Sequence, residues 1–128
     1  MIYVGIDFSI KSTAICISTG TKYIWGAFPD NLDINKKTYL WHKNIMDYVT
    51  IIGHDRKVPD KKKSDYTTIE EYKLHHADFM TNTIIYFLRD NIGNEEVSFG
   101  FEGFSYGSKG NSFIDLIAYN TMLKTKLI

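Results

Sequence analysis

The first 28 residues carry the pattern that most restricts the fold. Residues 2–8 alternate strictly between apolar side chains and small or polar ones, which is typical of a β-strand with one buried face. Residues 13–18 and 22–28 are rich in β-branched, apolar and aromatic side chains. The short turn at residues 19–21 contains glycine and predicts a hairpin between them. We therefore expect three antiparallel strands in an N-terminal meander.

The clearest helix pattern begins after residue 66. Thr67 and Thr68 are each followed three residues later by glutamate, which predicts two overlapping capping boxes. An apolar stripe then recurs at helical spacing, and Asn91 with Gly93 supplies the stop signal. The stripe consists of Ile69, Tyr72, His76, Phe79, Met80, Thr83, Ile84, Phe87 and Leu88.

The C-terminal third predicts one more strand and one more helix. Residues 97–102 alternate as a strand, and a glycine-rich loop at 103–110 leads to a helix that Asn111 or Ser112 caps. The apolar stripe of this helix consists of Phe113, Leu116, Ile117, Leu123 and Leu127.

The middle of the chain is less regular. We expect a short helix around residues 39–47 and a short strand or extended segment at 48–53. Residues 56–65 contain proline and a run of lysines, which predicts a loop with a net positive charge. Such a patch is able to meet phosphates, but a solvated surface is the more common outcome.

The length of the chain indicates a single domain, and its cysteine content indicates a protein of a reducing compartment. The chain has 128 residues, equal numbers of basic and acidic side chains, and Cys16 as its single cysteine. An intramolecular disulfide is therefore excluded, and we expect Cys16 to be a small buried hydrophobe. No apolar run reaches membrane-spanning length and no signal peptide is recognisable, so we expect a cytoplasmic protein without a membrane partner.

Two acidic residues close two predicted strands in the same way. Asp7 and Glu102 lie opposite the apolar positions, and each has a glycine two residues earlier, Gly5 and Gly100. If the strands are neighbours, the two carboxylates meet, and one takes up a proton unless a cation neutralises them. Oxygen ligands suit Mg²⁺ or Mn²⁺ in phosphodiester hydrolysis. Solvated strand ends or a helix cap are the alternative interpretation.

The histidines and tryptophans offer weaker candidates. His75 and His76 are consecutive, so they point in different directions on a helix and do not form a metal pair. We expect His76 to be a core or boundary residue, while His54 is isolated in the sequence. Trp25 and Trp41 are expected in the core or an interface.

The segments around the two acids resemble a known superfamily. GIDFSIKSTAICI at residues 5–17 is similar to the first hairpin of the RNase H-like superfamily. FEGFSYGSKGNSFIDLIAYNTMLK at residues 101–124 resembles the second-acid segment of RuvC-like Holliday-junction resolvases, especially their phage-encoded branch. The resemblance implies an RNase H-like α/β fold with a mixed sheet, in which the antiparallel meander is followed by a helix, a parallel strand and a helix.

The resemblance also implies an activity and its partners. It implies a homodimeric endonuclease that cuts four-way or branched DNA junctions without a nucleotide cofactor. Asp7 and Glu102 are then the catalytic carboxylates that hold Mg²⁺ or Mn²⁺. Aromatic residues of the loop would stack on an unpaired base, with core packing as their alternative role, while Ser105 would lie beside the site and Lys109 would contact a phosphate. Independently of the resemblance, Ser9 and Lys11 lie in the turn after the first strand, where they are able to approach a phosphate, and an ordinary hairpin turn is the alternative explanation. The residues expected to bind DNA are Ser9, Lys11, Phe104, Ser105, Tyr106 and Lys109.

The chain departs from the family after Glu102. The family adds a further strand and a final helix with one or two acids, whereas Asp115 is the one acid here, and its spacing from Ser112 fits a helix cap. The expectation is therefore a longer native protein or an incomplete site. A non-cleaving junction-binding protein is the alternative function. An actin-like or sugar-kinase ATPase lobe is a third, although Ser9 stands where its phosphate loop prefers glycine.

Overall fold

Five strands and two long helices are defined in the computed structural model, which describes residues 1–32, 43–45, 47–102 and 111–128. In chain order these elements are β1 (Ile2–Asp7), β2 (Ser12–Ser18), β3 (Tyr23–Pro29), β4 (Val49–Ile51), α1 (Tyr66–Ile92), β5 (Val97–Phe101) and α2 (Asn111–Leu127). Residues 43–45 are also helical, within the short helix expected there. None of the helices in these ranges is long and apolar enough to cross a membrane.

The strands form one open mixed sheet in the order β4-β3-β2-β1-β5. β1, β2 and β3 are antiparallel neighbours, which confirms the predicted meander. β5 lies parallel to β1, and the short β4 lies parallel to β3. The protein is therefore an α/β protein with a mixed five-stranded sheet.

One face of the sheet carries the core. The inward side chains of β1 and β2 alternate with exposed ones, and they pack with buried residues of both helices in a single cluster. The Phe28 and Phe87 rings meet edge to face at 5.4 Å. Gly26 allows this close approach, because a Cβ there would lie 2.7 Å from the Phe87 ring. The helix and the sheet are thus fixed against each other at β3.

The start of α1 differs from its prediction. The N-cap is Asp65, whose carboxylate accepts a hydrogen bond of 2.7 Å from the backbone N–H of Thr68. The predicted capping boxes at Thr67 and Thr68 are therefore wrong, because those threonines already lie within the first turn. The predicted stop is confirmed, since Gly93 adopts a positive φ of 67° as the C-cap.

The buried stripe of α1 also differs in part. Phe79 is 57% exposed, whereas Thr81 is fully buried. Thr81 is tolerated there because its hydroxyl donates a 2.7 Å hydrogen bond to the carbonyl of Ala77. In α2, Leu123 is buried as predicted, and Tyr119 is buried as well.

The second face of the sheet is not covered by any element within the described ranges. Tyr3, Tyr23 and Trp25 are exposed there by 59%, 69% and 49%. Of the two roles expected for Trp25, the core is therefore wrong and the interface stays a prediction, while Cys16 is half-buried rather than enclosed. Trp41 lies outside the described residues. The acidic residues described next lie on this open face.

Candidate metal centre at the sheet edge

Four strands end at the same edge of the sheet. β1 and β3 both run antiparallel to β2, β5 is parallel to β1, and β4 is parallel to β3. Their carboxyl ends therefore point the same way. In open α/β sheets, ligands bind in the crevice outside such ends. This edge is the first place to look for function.

Asp7 and Glu102 meet at this edge. Gly5 pairs with Gly100 in the parallel ladder, and the backbone N–H of Glu102 donates to the carbonyl of Ile6 at 3.2 Å. The two acidic side chains that follow are hydrogen-bonded to each other. This bond and the negative charge of Asp7 raise the pKa of Glu102 above its ordinary value. The structure thus brings together the two carboxyl groups that the sequence pairs.

Asp7 and Glu102 are neighbouring acidic side chains, and they repel each other when both are ionised. The side chain of Glu102 is exposed to solvent, so the neighbouring Asp7, and not burial, is the main cause of its raised pKa. A divalent cation between the two side chains would remove their repulsion, and carboxylate oxygens are ligands that suit Mg²⁺. No group of three or more His, Cys, Asp or Glu side chains positioned for a metal occurs in the described parts of the chain. Within those parts, the pair by itself falls short of a three-ligand group.

The backbone beside the pair is bare. A groove of about 580 Å³ runs over the open face, lined by Asp7 and Glu102 at the edge and by Trp25 further in. A Cβ built on Gly5 would meet nothing within 4 Å, and one on Gly100 would meet only a carbonyl oxygen at 4.0 Å. Glycine within a strand weakens it, and internal packing does not require glycine here. The missing side chains leave room for a molecule from outside.

Two of the predicted DNA contacts lie in the turn between β1 and β2. Thr13 closes this turn by donating to the carbonyl of Ser9 at 2.6 Å and accepting from its N–H at 3.2 Å. Ser9 and Lys11 line a cavity of about 250 Å³ at the same sheet edge. The other predicted contacts lie outside the described residues; they are Phe104, Ser105, Tyr106 and Lys109.

Asp115, the remaining acid considered from the sequence, is engaged elsewhere. Its carboxylate accepts a hydrogen bond from the Nζ of Lys73 at 3.1 Å, which joins α2 to α1. This ion pair neutralises the carboxylate. Asp115 therefore has a structural partner of its own.

A second titratable cluster lies in the core, and the sequence did not reveal it. His54 Nδ1 is 2.9 Å from His76 Nε2, His54 Nε2 is 3.2 Å from the carbonyl of Phe28, and His76 Nδ1 is 2.9 Å from the Tyr119 hydroxyl. The prediction that His76 is a satisfied core residue is confirmed. The description of His54 as isolated is wrong for the folded protein, where it contacts His76. The sequence does not reveal this contact, because the two residues are 22 positions apart and no local pattern links them.

The hydrogen bonds fix where the protons lie. A carbonyl accepts only, so His54 must carry its proton on Nε2 and accept on Nδ1. His76 must then donate from Nε2, and its Nδ1 accepts from Tyr119. Burial lowers the pKa of His54. Burial, together with the neighbouring His54 and Arg56, lowers the pKa of His76 to about 4. Both rings are therefore neutral at pH 7, and the cluster joins the sheet to both helices.

Comparison of the chain with protein-family models, with curated proteins and with solved structures finds no match.

Proposed function

We propose that the protein is a metal-dependent endonuclease that cuts four-way or branched DNA junctions, as RuvC-like enzymes of the RNase H-like superfamily do. The observation that carries the proposal is the contact between Asp7 and Glu102 at the ends of two parallel, adjacent strands. The meander of β1 to β3 with β5 parallel to β1 supports the same fold assignment. We propose that the enzyme acts as a homodimer, which would cut both strands of a symmetric junction.

Each residue has a distinct role in this proposal. Asp7 and Glu102 would hold Mg²⁺ or Mn²⁺ through their carboxylate oxygens, and the cation would offset the repulsion between the two carboxylates. The bound ion supplies Lewis-acid stabilisation of the phosphate and an activated water. Gly5 and Gly100 leave the backbone open, so that a DNA strand is able to approach the carboxylates. Lys11, in the neighbouring turn, contacts a phosphate.

A junction-binding protein that does not cleave is the second candidate. The observation that favours it is the ligand set, since two carboxylates hold Mg²⁺ less firmly than three or four. Such a protein would recognise the same branched DNA through the same edge.

A cleavage assay separates the two candidates. A synthetic four-way junction is incubated with Mg²⁺ and with the wild type, Asp7→Asn or Glu102→Gln. We expect paired nicks from the wild type and a loss of about a thousandfold or more in each variant, because each removes a carboxylate that holds the metal at the reacting phosphate.

Asp115→Asn is the matched control for this assay. It removes an acid that is bonded to Lys73, so cleavage should persist. Undiminished cleavage by either Asp7→Asn or Glu102→Gln would rule out the site assignment. Tight junction binding by the wild type without nicks would select the non-cleaving protein.

A further inference from the structure

Arg56 lies at the same sheet edge, on the far side from the acid pair. It follows β4, and the side chain of Asn31 holds its backbone at both polar groups. The N–H of Arg56 donates to Asn31 Oδ1 at 2.7 Å, and its carbonyl accepts from Asn31 Nδ2 at 2.9 Å. This backbone clamp fixes the position from which the guanidinium extends.

The guanidinium is oriented by Asp30. Its Nε donates to Asp30 Oδ2 at 2.9 Å, and the two side chains are 25% and 20% exposed. Among the described residues, none accepts a hydrogen bond from the two terminal amino groups of Arg56. An arginine held through Nε can present its remaining donors to an oxyanion such as a phosphate.

Arg56 shares a cavity with Lys11. The cavity of about 250 Å³ is lined by the β1–β2 turn, by Arg56 and by the start of α2. Asp115 also lies in its wall, where its carboxylate accepts from Lys73 at 3.1 Å, and Lys73 pairs with Glu70 as well, at 3.6 Å. The lining side chains therefore carry two cations, Lys11 and Arg56, against one anion, Asp115. Cations from separate parts of the chain thus converge at the same sheet edge as the proposed metal centre.

We propose that Lys11 and Arg56 form a phosphate-binding site for the DNA backbone, next to the Asp7–Glu102 metal centre. The identity of the ligand as a nucleic acid rests on the proposed function. β1 and β4 are three strand spacings apart in the sheet, or about 14 Å. A DNA strand that contacts both places therefore spans about four nucleotides at roughly 3.4 Å each. The site would hold a phosphate a few nucleotides from the one that is cut.

The alternative is that Arg56 serves only the ion pair with Asp30. Two variants separate these roles, because Arg56→Gln and Asp30→Asn both remove the ion pair, but only the first removes the cation. Binding of a synthetic four-way junction is measured without divalent metal at several salt concentrations. We expect Arg56→Gln to bind more weakly and to reduce the slope of log Kd against log salt by about one. Asp30→Asn should keep the wild-type slope and bind equally or more tightly.

Lys11→Gln gives a second test that does not involve the ion pair. It should also reduce the salt slope by about one, whatever the stability of the Arg56 variant. Equal weakening by Arg56→Gln and Asp30→Asn, or an unchanged slope in both Lys11→Gln and Arg56→Gln, would overturn the proposal. The outcome is distinct from that of the nuclease assay. If these variants keep the salt slope of the wild type while cleavage depends on Asp7 and Glu102, the phosphate site is wrong and the nuclease proposal stands. If the salt slopes are reduced but no such cleavage occurs, the nuclease proposal is wrong and the phosphate site stands.

Discussion

The acid pair at the sheet edge and the histidine pair in the core are built in opposite ways. Asp7 and Glu102 are both open to solvent, and the neighbouring Asp7 raises the pKa of Glu102. His54 and His76 are each 6% exposed, neutral, and hydrogen-bonded through every ring nitrogen. The histidines find partners for every ring nitrogen within the chain, whereas none of the ion pairs between described residues involves Asp7 or Glu102. This difference is the reason for proposing the acid pair, and not the histidine pair, as a cation site.

Both pairs have shifted pKa values, so a shift by itself does not mark a functional site. The neighbouring carboxylate raises the pKa of Glu102, while burial lowers the pKa of His54 and His76. The cause of each shift distinguishes the two cases. A shift caused by an uncompensated like charge invites a ligand, and a shift caused by burial in a satisfied network reports structure.

Removing His76 should have the largest effect on stability. In His76→Ala, the His54 ring nitrogen and the Tyr119 hydroxyl lose their partners in the core, and a cavity forms. We expect a loss of about 3 kcal/mol in the free energy of unfolding, measured by chemical denaturation. His75→Ala on the exposed side of the same helix is the control and should cost less than about 0.5 kcal/mol. Similar losses in the two variants would show that the cluster does not hold the fold.

Acidification tests the same cluster without changing the backbone. Histidine in the unfolded chain has a pKa near 6.5, whereas that of His76 is lowered to about 4 in the folded protein. The unfolded state therefore binds more protons in this range, and stability should fall as the pH drops from 6.5 towards 4. Denaturation curves of the wild type and His76→Gln over this range isolate the effect. A wild-type curve parallel to that of the variant would contradict it.

A titration of the wild type must include every charged group around the rings. Asp30, Asp55 and Arg56 influence the pKa of His54, and Tyr72 stacks on His76 at 5.8 Å. Glu102 acts in the opposite direction, because its raised pKa makes the folded state bind the extra proton and so favours folding at lower pH. Glu102→Gln should therefore steepen the loss of stability on acidification.

The glycines beside the acid pair give the smallest effect and the sharpest separation of stability from function. Gly100→Ala places a methyl group in open space, so we expect a gain of roughly 0.5–1 kcal/mol in stability. We expect cleavage of the junction to decrease, because the methyl group narrows the approach to the carboxylates. Gly26→Ala is the contrasting variant, since its methyl group would meet the Phe87 ring at 2.7 Å and destabilise the protein. Unchanged cleavage in Gly100→Ala would show that the bare backbone does not serve the substrate.

Local periodicity explains what could be predicted from the sequence. Alternation over residues 2–8 and 97–102 placed the apolar side chains inward and both acids outward, and parallel pairing then brought the acids together. The short turns likewise predicted the meander. These features depend on neighbours within a few residues, which a single sequence displays directly.

The features that were missed depend on contacts between distant segments. His54 and His76 meet because α1 packs beside the end of β3, and Arg56 reaches the sheet edge because Asn31 clamps its backbone. Neither pairing has a periodic signal. At the start of α1, aspartate and threonine are both favoured N-caps, so residue type alone does not separate Asp65 from Thr67 and Thr68.

The pairing of β1 with β5 has a consequence for folding kinetics. Ile2 lies opposite Val97, so the pairing of β1 with β5 closes a loop that contains most of the chain. Contacts of such large sequence separation are costly to form early, so we expect the Asp7–Glu102 contact, and a cation bound between them, to form late in folding. In stopped-flow experiments, we therefore expect Mg²⁺ to slow the unfolding of the wild type and to leave its refolding rate almost unchanged. In Glu102→Gln, Mg²⁺ should not change the unfolding rate. The unfolding rate, and with it the lifetime of the native state, would then depend on bound metal.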